Sequence, residues 1–175
     1  DHFFSEANVL KDGVPNFLKV GIVYSDRVTT VSPTYAKEIL TDYYGEGLNG
    51  ILGAHRGKLR GILNGLDTDD YNPATDQRIA KNYDISSWKS GKAYCKRTLE
   101  KELGFKSGGD KPLLAMITRL ADQKGIDLLL HIGDELLETT QAHLVIIGTG
   151  DPHLEYRVRE LADRHPDQMH ALISF

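Results

Sequence analysis

Three nearly uninterrupted apolar runs, at residues 113–117, 143–147 and 170–175, alternate with two longer stretches, 126–137 and 152–164, in which leucine and other apolar residues recur at helical spacing. A short apolar run bounded by turn residues is the pattern of a parallel strand covered on both faces, and strands alternating with helices of about a dozen residues predict βαβ units. Upstream, residues 91–103 predict another helix. Cys95, Leu99 and Leu103 recur every fourth position on one face, and Gly104 stands where a left-handed stop is needed. Residues 106–112, with Gly108 and Gly109, are expected to form a flexible connection.

The first third is less regular. Residues 16–27 predict a short helix, and the β-branched stretch 27–32 a short buried strand. Ser32 and Pro33 form a helix start, the serine as a cap and the proline in the first turn, and that helix is expected to reach about Leu40. Residues 41–58 carry Gly45, Gly47, Gly50, Gly53 and Gly57, too many for the interior of an element, and are expected to be a surface loop. Residues 59–63 predict a short strand, and Asn64 with Gly65 a turn. Asp67, Asp69 and Asp70, just before Pro73, fit a solvated turn better than a cation site. A domain boundary placed here divides the chain into residues 1–66 and 67–175.

With 40% hydrophobic and 26% charged residues among 175, the chain has the material for one or two compact domains. A formal net charge of -4 gives no basic field of the kind that nucleic-acid or anionic-membrane binding leaves. No run is long and apolar enough to span a membrane. Cys95 is the single cysteine, and the seven histidines show no metal-binding spacing, so no metal is assigned and a reducing compartment is expected. His131 and His143 are expected at the core edge or the surface. Trp88 and Tyr94 are expected to pack locally, and Tyr43 and Tyr44 to anchor the glycine-rich loop or line a sugar groove. The start without methionine and the end on an apolar run are expected of an internal fragment.

Two segments sit where ligands of such sheets bind, at the carboxyl ends of strands and before helices. In residues 118–125, Arg119 offers a planar fork of donors, Lys124 a compact charge, and the following helix start free N–H groups. That is an anion site, or else two ordinary surface cations beside carboxylates such as Asp122. In residues 148–152, Gly148 and Gly150 permit close approach to a ligand, and Asp151 with Pro152 starts a helix. That segment equally fits a plain strand-to-helix turn.

Taken with residues 27–36, 57–67 and 71–76, these segments resemble the glycogen/starch synthase family in order and spacing. The resemblance implies the GT-B architecture of two Rossmann-like α/β domains, with residues 1–66 ending the acceptor-side domain and 67–175 forming the first half of the nucleotide-sugar domain. It implies transfer of glucose from ADP-glucose to an α-1,4-glucan with retention, without metal or cofactor, in a bacterial cytoplasm or a plastid stroma. Arg119 and Lys124 match the family's catalytic Arg and Lys on the donor diphosphate. Asn64 matches an Asn near the donor and Gly150 a glycine by the nucleotide. The family's lysine-glycine-glycine loop, its cleft histidine and its two-glutamate motif lie outside this chain, so the isolated chain is expected to be inactive. Asp151 and Pro152 depart from the pair of lysines in plant granule-bound forms. Other retaining GT-B transferases using UDP- or GDP-sugars share the Arg-Leu-x-x-x-Lys-Gly and Gly-x-Gly turns. A non-catalytic glucan-binding module is the alternative from a different class.

Overall fold

The computed structural model describes residues 4–6, 8–106 and 111–174. Residues 107–110 of the expected connection and Phe175 of the expected last strand lie outside them. Between Thr68 and Asp69 the chain divides into two compact units.

In the first unit β1 (Leu10–Lys11) and β2 (Val14–Pro15) form a small antiparallel hairpin. Helix α1 (Phe17–Tyr24) starts where the Asn16 side chain accepts from the Lys19 N–H at 2.9 Å. Beyond its end, Lys58 Nζ donates to the carbonyls of Val23 and Ser25 at 2.8 and 2.7 Å, a cation placed where helix carbonyls lack partners. Strands β3 (Val28–Thr30) and β4 (Leu59–Gly61) pair in parallel, Val28 opposite Leu59. Between them, Ser32 Oγ accepts from the N–H groups of Thr34 and Tyr35 at the start of α2 (Tyr35–Glu38).

The loop expected over residues 41–58 is not all loop. It contains α3 (Asn49–Ala54) and a single 3₁₀ turn at Arg56–Lys58. Leu52 is buried with Ile22, Ile39 and Leu59, and Leu48 and Ile51 pack against them. That burial, ~2 kcal/mol for a leucine side chain alone, offsets the ~1 kcal/mol cost of each helical glycine. Tyr43 and Tyr44 pack edge to face, centroids 4.8 Å apart, with Tyr43 mostly exposed.

The second unit opens with a polar turn. Arg78 Nε donates to Asp76 at 2.8 Å and its Nη1 lies 3.3 Å from Asp70, which holds the Asp76 carboxyl below its ordinary range. Asp84 accepts from the hydroxyls and N–H groups of Ser86 and Ser87, which lowers its pKa to about 2. Helix α4 (Trp88–Glu102) follows and ends at Gly104, φ +75°. It starts three residues earlier than expected, and its buried positions are Gly91 and Glu100. Leu99, on the expected apolar face, is 42% exposed.

The sheet is parallel, in the order β5 (Leu113–Ile117), β6 (His143–Ile147), β7 (Met169–Leu172). Helices α5 (Ile126–Thr140) and α6 (Pro152–Arg164) connect the strands. The middle strand β6 is buried almost throughout. Leu144 and Ile146 join Ile126, Leu130 and Leu137 of α5 and Leu154, Val158 and Leu161 of α6 in one core. Side chains alternate across a strand, so His143 faces the other way. There its Nδ1 lies 2.9 Å from Glu100 Oε1 of α4, and its ring stacks on Phe105 at 4.5 Å. Helical residues thus lie against both faces of β6, as a doubly wound unit requires. Two expectations fail here. His143 is 1% exposed, neither at the core edge nor on the surface: Glu100 partners its Nδ1 and Phe105 stacks on its ring, while its buried Nε2 has no partner. And β5 is not covered on both faces: among the described residues it is an edge strand, and Ile117 is 72% exposed.

Candidate donor-diphosphate site

Beyond the carboxyl ends of β5 and β6 the two candidate segments run side by side as a continuation of the sheet. Thr118 N–H donates to Ile147 O at 3.0 Å, Leu120 N–H to Thr149 O at 2.9 Å, and Asp151 N–H to Leu120 O at 2.8 Å, with a parallel bridge between Leu120 and Gly150. Leu120 is fully buried in the core below, which anchors the loop and leaves its neighbour Arg119 exposed above. The seam admits no side chain on its inner edge. A Cβ at Gly148 would lie 1.8 Å from Thr118 O, and one at Gly150 2.1 Å from Leu120 O. Gly148 also has φ +150°, a region that residues with a Cβ avoid.

The first loop tightens into a 3₁₀ turn at Asp122–Lys124, and Gly125, at φ +70°, passes the chain into α5. No side chain caps α5. Its first N–H groups therefore keep the partial positive charge of a helix start. Arg119 and Lys124 are both exposed, and among the described residues neither is paired with a carboxylate, Asp122 included. The second loop is different. Asp151 caps α6, accepting from the His153 N–H at 2.7 Å and the Leu154 N–H at 3.4 Å, and Glu155 Oε1 accepts from the Gly150 N–H at 2.9 Å. The α6 start has satisfied itself with its own carboxylates. One anion-receptive turn and one self-capped, close-fitting turn thus stand next to each other.

The structure brings Arg119, Lys124 and Gly150 to this one edge of the second unit. Asn64 lies in the first unit, exposed, in the irregular stretch after β4. Sequence reasoning missed Glu155 and Glu100. The first had a signal, a glutamate four residues after a capping aspartate; the second had none, since its partner His143 is 43 residues away. Among the described residues no three His, Cys, Asp or Glu side chains converge on a metal-sized space, and no helix is long and apolar enough to cross a membrane.

The family model of the starch synthase catalytic domain matches residues 1–54. Over the whole chain, glycogen synthase of Rhodopirellula baltica is 45% identical across 176 residues, and glycogen synthase of Anaeromyxobacter sp. 47% across 175. The catalytic domain of starch synthase IV from Arabidopsis thaliana, solved bound to ADP and acarbose, superposes with a TM-score of 0.84 at 36% identity over 92% of the chain. Along almost its whole length the chain is similar to glycogen and starch synthases. It spans about a third of these relatives, 34% and 36% of the two glycogen synthases and 33% of the starch synthase chain. In the second unit, parallel strands with helices between them are the α/β fold that the family resemblance implies.

Proposed function

We propose that this segment grips the diphosphate of ADP-glucose in a retaining glucosyltransferase that lengthens α-1,4-glucan. The observation that carries the reading is the turn between β5 and α5, where two unpaired cations, Arg119 and Lys124, flank an uncapped helix start at the carboxyl edge of a parallel sheet. The solved relative supports it, since its ligands are a nucleoside diphosphate and an oligosaccharide.

Chemically the turn suits a leaving group. As the bond from the sugar to the β-phosphate breaks, negative charge builds on the phosphate oxygens. The Arg119 fork can donate two parallel hydrogen bonds to them, Lys124 adds a point charge, and the α5 start adds fixed dipoles that need no reorganisation. Gly148 and Gly150, lacking a Cβ, let the second loop pack directly against Thr118 and Leu120 of the first, and Asn64 is assigned to donor binding by the family resemblance. Residues 1–66 belong to the acceptor-side domain and 67–175 to the nucleotide-sugar domain. The reading needs no metal or cofactor, the segment alone is inactive, and the compartment is a bacterial cytoplasm or a plastid stroma.

The test is an ADP titration of the ¹⁵N-labelled chain, with UDP as comparator and Lys124→Ala as control. A charge-assisted contact of about 1.5–3 kcal/mol predicts a roughly 10- to 100-fold weaker ADP affinity in the variant. Amide shifts should centre on residues 119–126 and 148–150, and ADP should bind more tightly than UDP. ADP shifts that survive Lys124→Ala unchanged would remove the cations from the role given them, and a preference for UDP would favour a different GT-B donor.

A further inference from the structure

The donor-site reading assigns no task to Glu155, yet this carboxylate sits at the edge of the proposed anion site. Its charge repels a diphosphate, and Arg159 Nη1, 3.8 Å from Oε2, offsets that only in part. What Glu155 does in the structure is hold a loop. Its Oε1 accepts from the Gly150 N–H at 2.9 Å, and its side chain is only 20% exposed. Gly150 is the residue bridged to Leu120. On either side of it the bonds run to the first loop, Leu120 N–H to Thr149 O and Asp151 N–H to Leu120 O. The Gly150 N–H points away from that seam and finds Glu155. Asp151 is occupied with His153 and Leu154.

We propose that Glu155 is a positioning residue of the donor site. By fixing Gly150 it clamps the second loop against Leu120, and through Leu120 it sets the position of the adjoining Arg119 fork. The inference rests on the donor-diphosphate reading above. Its chemistry is that of a helix-start glutamate reaching back to a free N–H, displaced by one residue at each end from the usual capping box.

The experiment compares the 175-residue chain with its Glu155→Ala and Glu155→Gln variants, reading ADP affinity by calorimetry and amide exchange at Gly150 with Val145 and Ile146 as folding controls. Glutamine keeps an acceptor oxygen and loses the charge. Expected for Glu155→Ala are about tenfold faster exchange at Gly150, about tenfold weaker ADP binding and unchanged exchange at Val145 and Ile146, the loss of one hydrogen bond in each case. Glu155→Gln should keep the Gly150 protection and bind ADP at least as tightly as the unsubstituted chain. If alanine frees Gly150 while ADP binds as before, the clamp exists but positions nothing, and the proposal fails while the donor site stands. If both variants bind ADP more tightly, the carboxylate acts only by repulsion, which also overturns the proposal. If the unsubstituted chain does not bind ADP at all, the donor-site reading fails first and takes this one with it.

Discussion

Gly148 is where the seam between the two loops leaves least room, and replacing it with alanine should be costly in a calculable way. Two effects add. The backbone at φ +150° is a region that residues with a Cβ occupy only under strain, of order 1–3 kcal/mol. A Cβ 1.8 Å from Thr118 O cannot be accommodated without separating the loops. Separation weakens the bonds from Thr118 N–H to Ile147 O, Leu120 N–H to Thr149 O and Gly148 N–H to Leu172 O, each contributing about 1 kcal/mol. Allowing for partial relaxation, the sum is about 3–5 kcal/mol. Gly125→Ala is the internal standard: the glycine is also left-handed, at φ +70°, but its Cβ would meet only Leu128 Cδ1 at 3.7 Å, so the cost is the conformational part alone, about 1 kcal/mol. A single denaturation midpoint would mix two units, so the measurement is native-state amide exchange at Val145 and Ile146. The reasoning is refuted if Gly148→Ala lowers their protection no more than Gly125→Ala does.

Two further outcomes test the packing around the site. Glu100→Ala should cost about 2 kcal/mol, because His143 Nδ1 loses its partner where water cannot replace it, and Glu100→Gln should cost less; equal losses of β6 amide protection in both variants would remove the hydrogen bond from the account. Asp134 is held below its ordinary pKa first by the Arg164 guanidinium at 3.0 Å and then by His165 at 2.7 Å. A carboxyl depressed in the folded state contributes stability above its unfolded pKa and loses it as pH falls through the folded value. At this half-exposed site the contribution is at most ~1 kcal/mol. Asp134→Asn should therefore be destabilising at pH 7 and indistinguishable from the parent near pH 2, as read by amide protection at Val145 and Ile146; a difference that grows on acidification contradicts the assignment.

The sheet was legible because burial and period agree in it. Residues 143–147 form a continuous apolar run since both faces of β6 are covered, and Asp151 followed by Pro152 marks the start of α6 by chemistry that acts within four residues. Where the reading failed, the deciding partner was distant in sequence. Glycine content argued for a loop over 41–58, and Leu52 forms a helix there because Ile22, Ile39 and Leu59 bury it. The spacing of Cys95, Leu99 and Leu103 argued for one apolar face on α4, yet the helix buries Glu100 because His143 awaits it on β6. Of the site, the cations and glycines were visible as residue types, and what the sequence could not express was that Leu120 and Gly150 are bonded neighbours, thirty positions apart.

That adjacency divides the work between two loops that look alike on paper. Both follow a parallel strand, both precede a helix, and both contain glycine. In the turn after β5 the helix start is uncapped and Arg119 and Lys124 are unpaired; with Asp122 and Asp127 counted its formal charge balances, whereas the turn after β6 is negative. In the turn after β6 every donor that Asp151 and Glu155 can reach is already taken, and a diphosphate would find two carboxylates there. Charge alone would drive an anion toward the first turn and away from the second. What the second turn contributes is position: Gly148 and Gly150 let it pack directly against Thr118 and Leu120 of the first turn, and Asp151 and Glu155 hold it there. On the donor-diphosphate reading proposed above, this asymmetry would orient the ligand, with the phosphates over Arg119, Lys124 and the start of α5 and the uncharged part of the nucleotide sugar against the second turn.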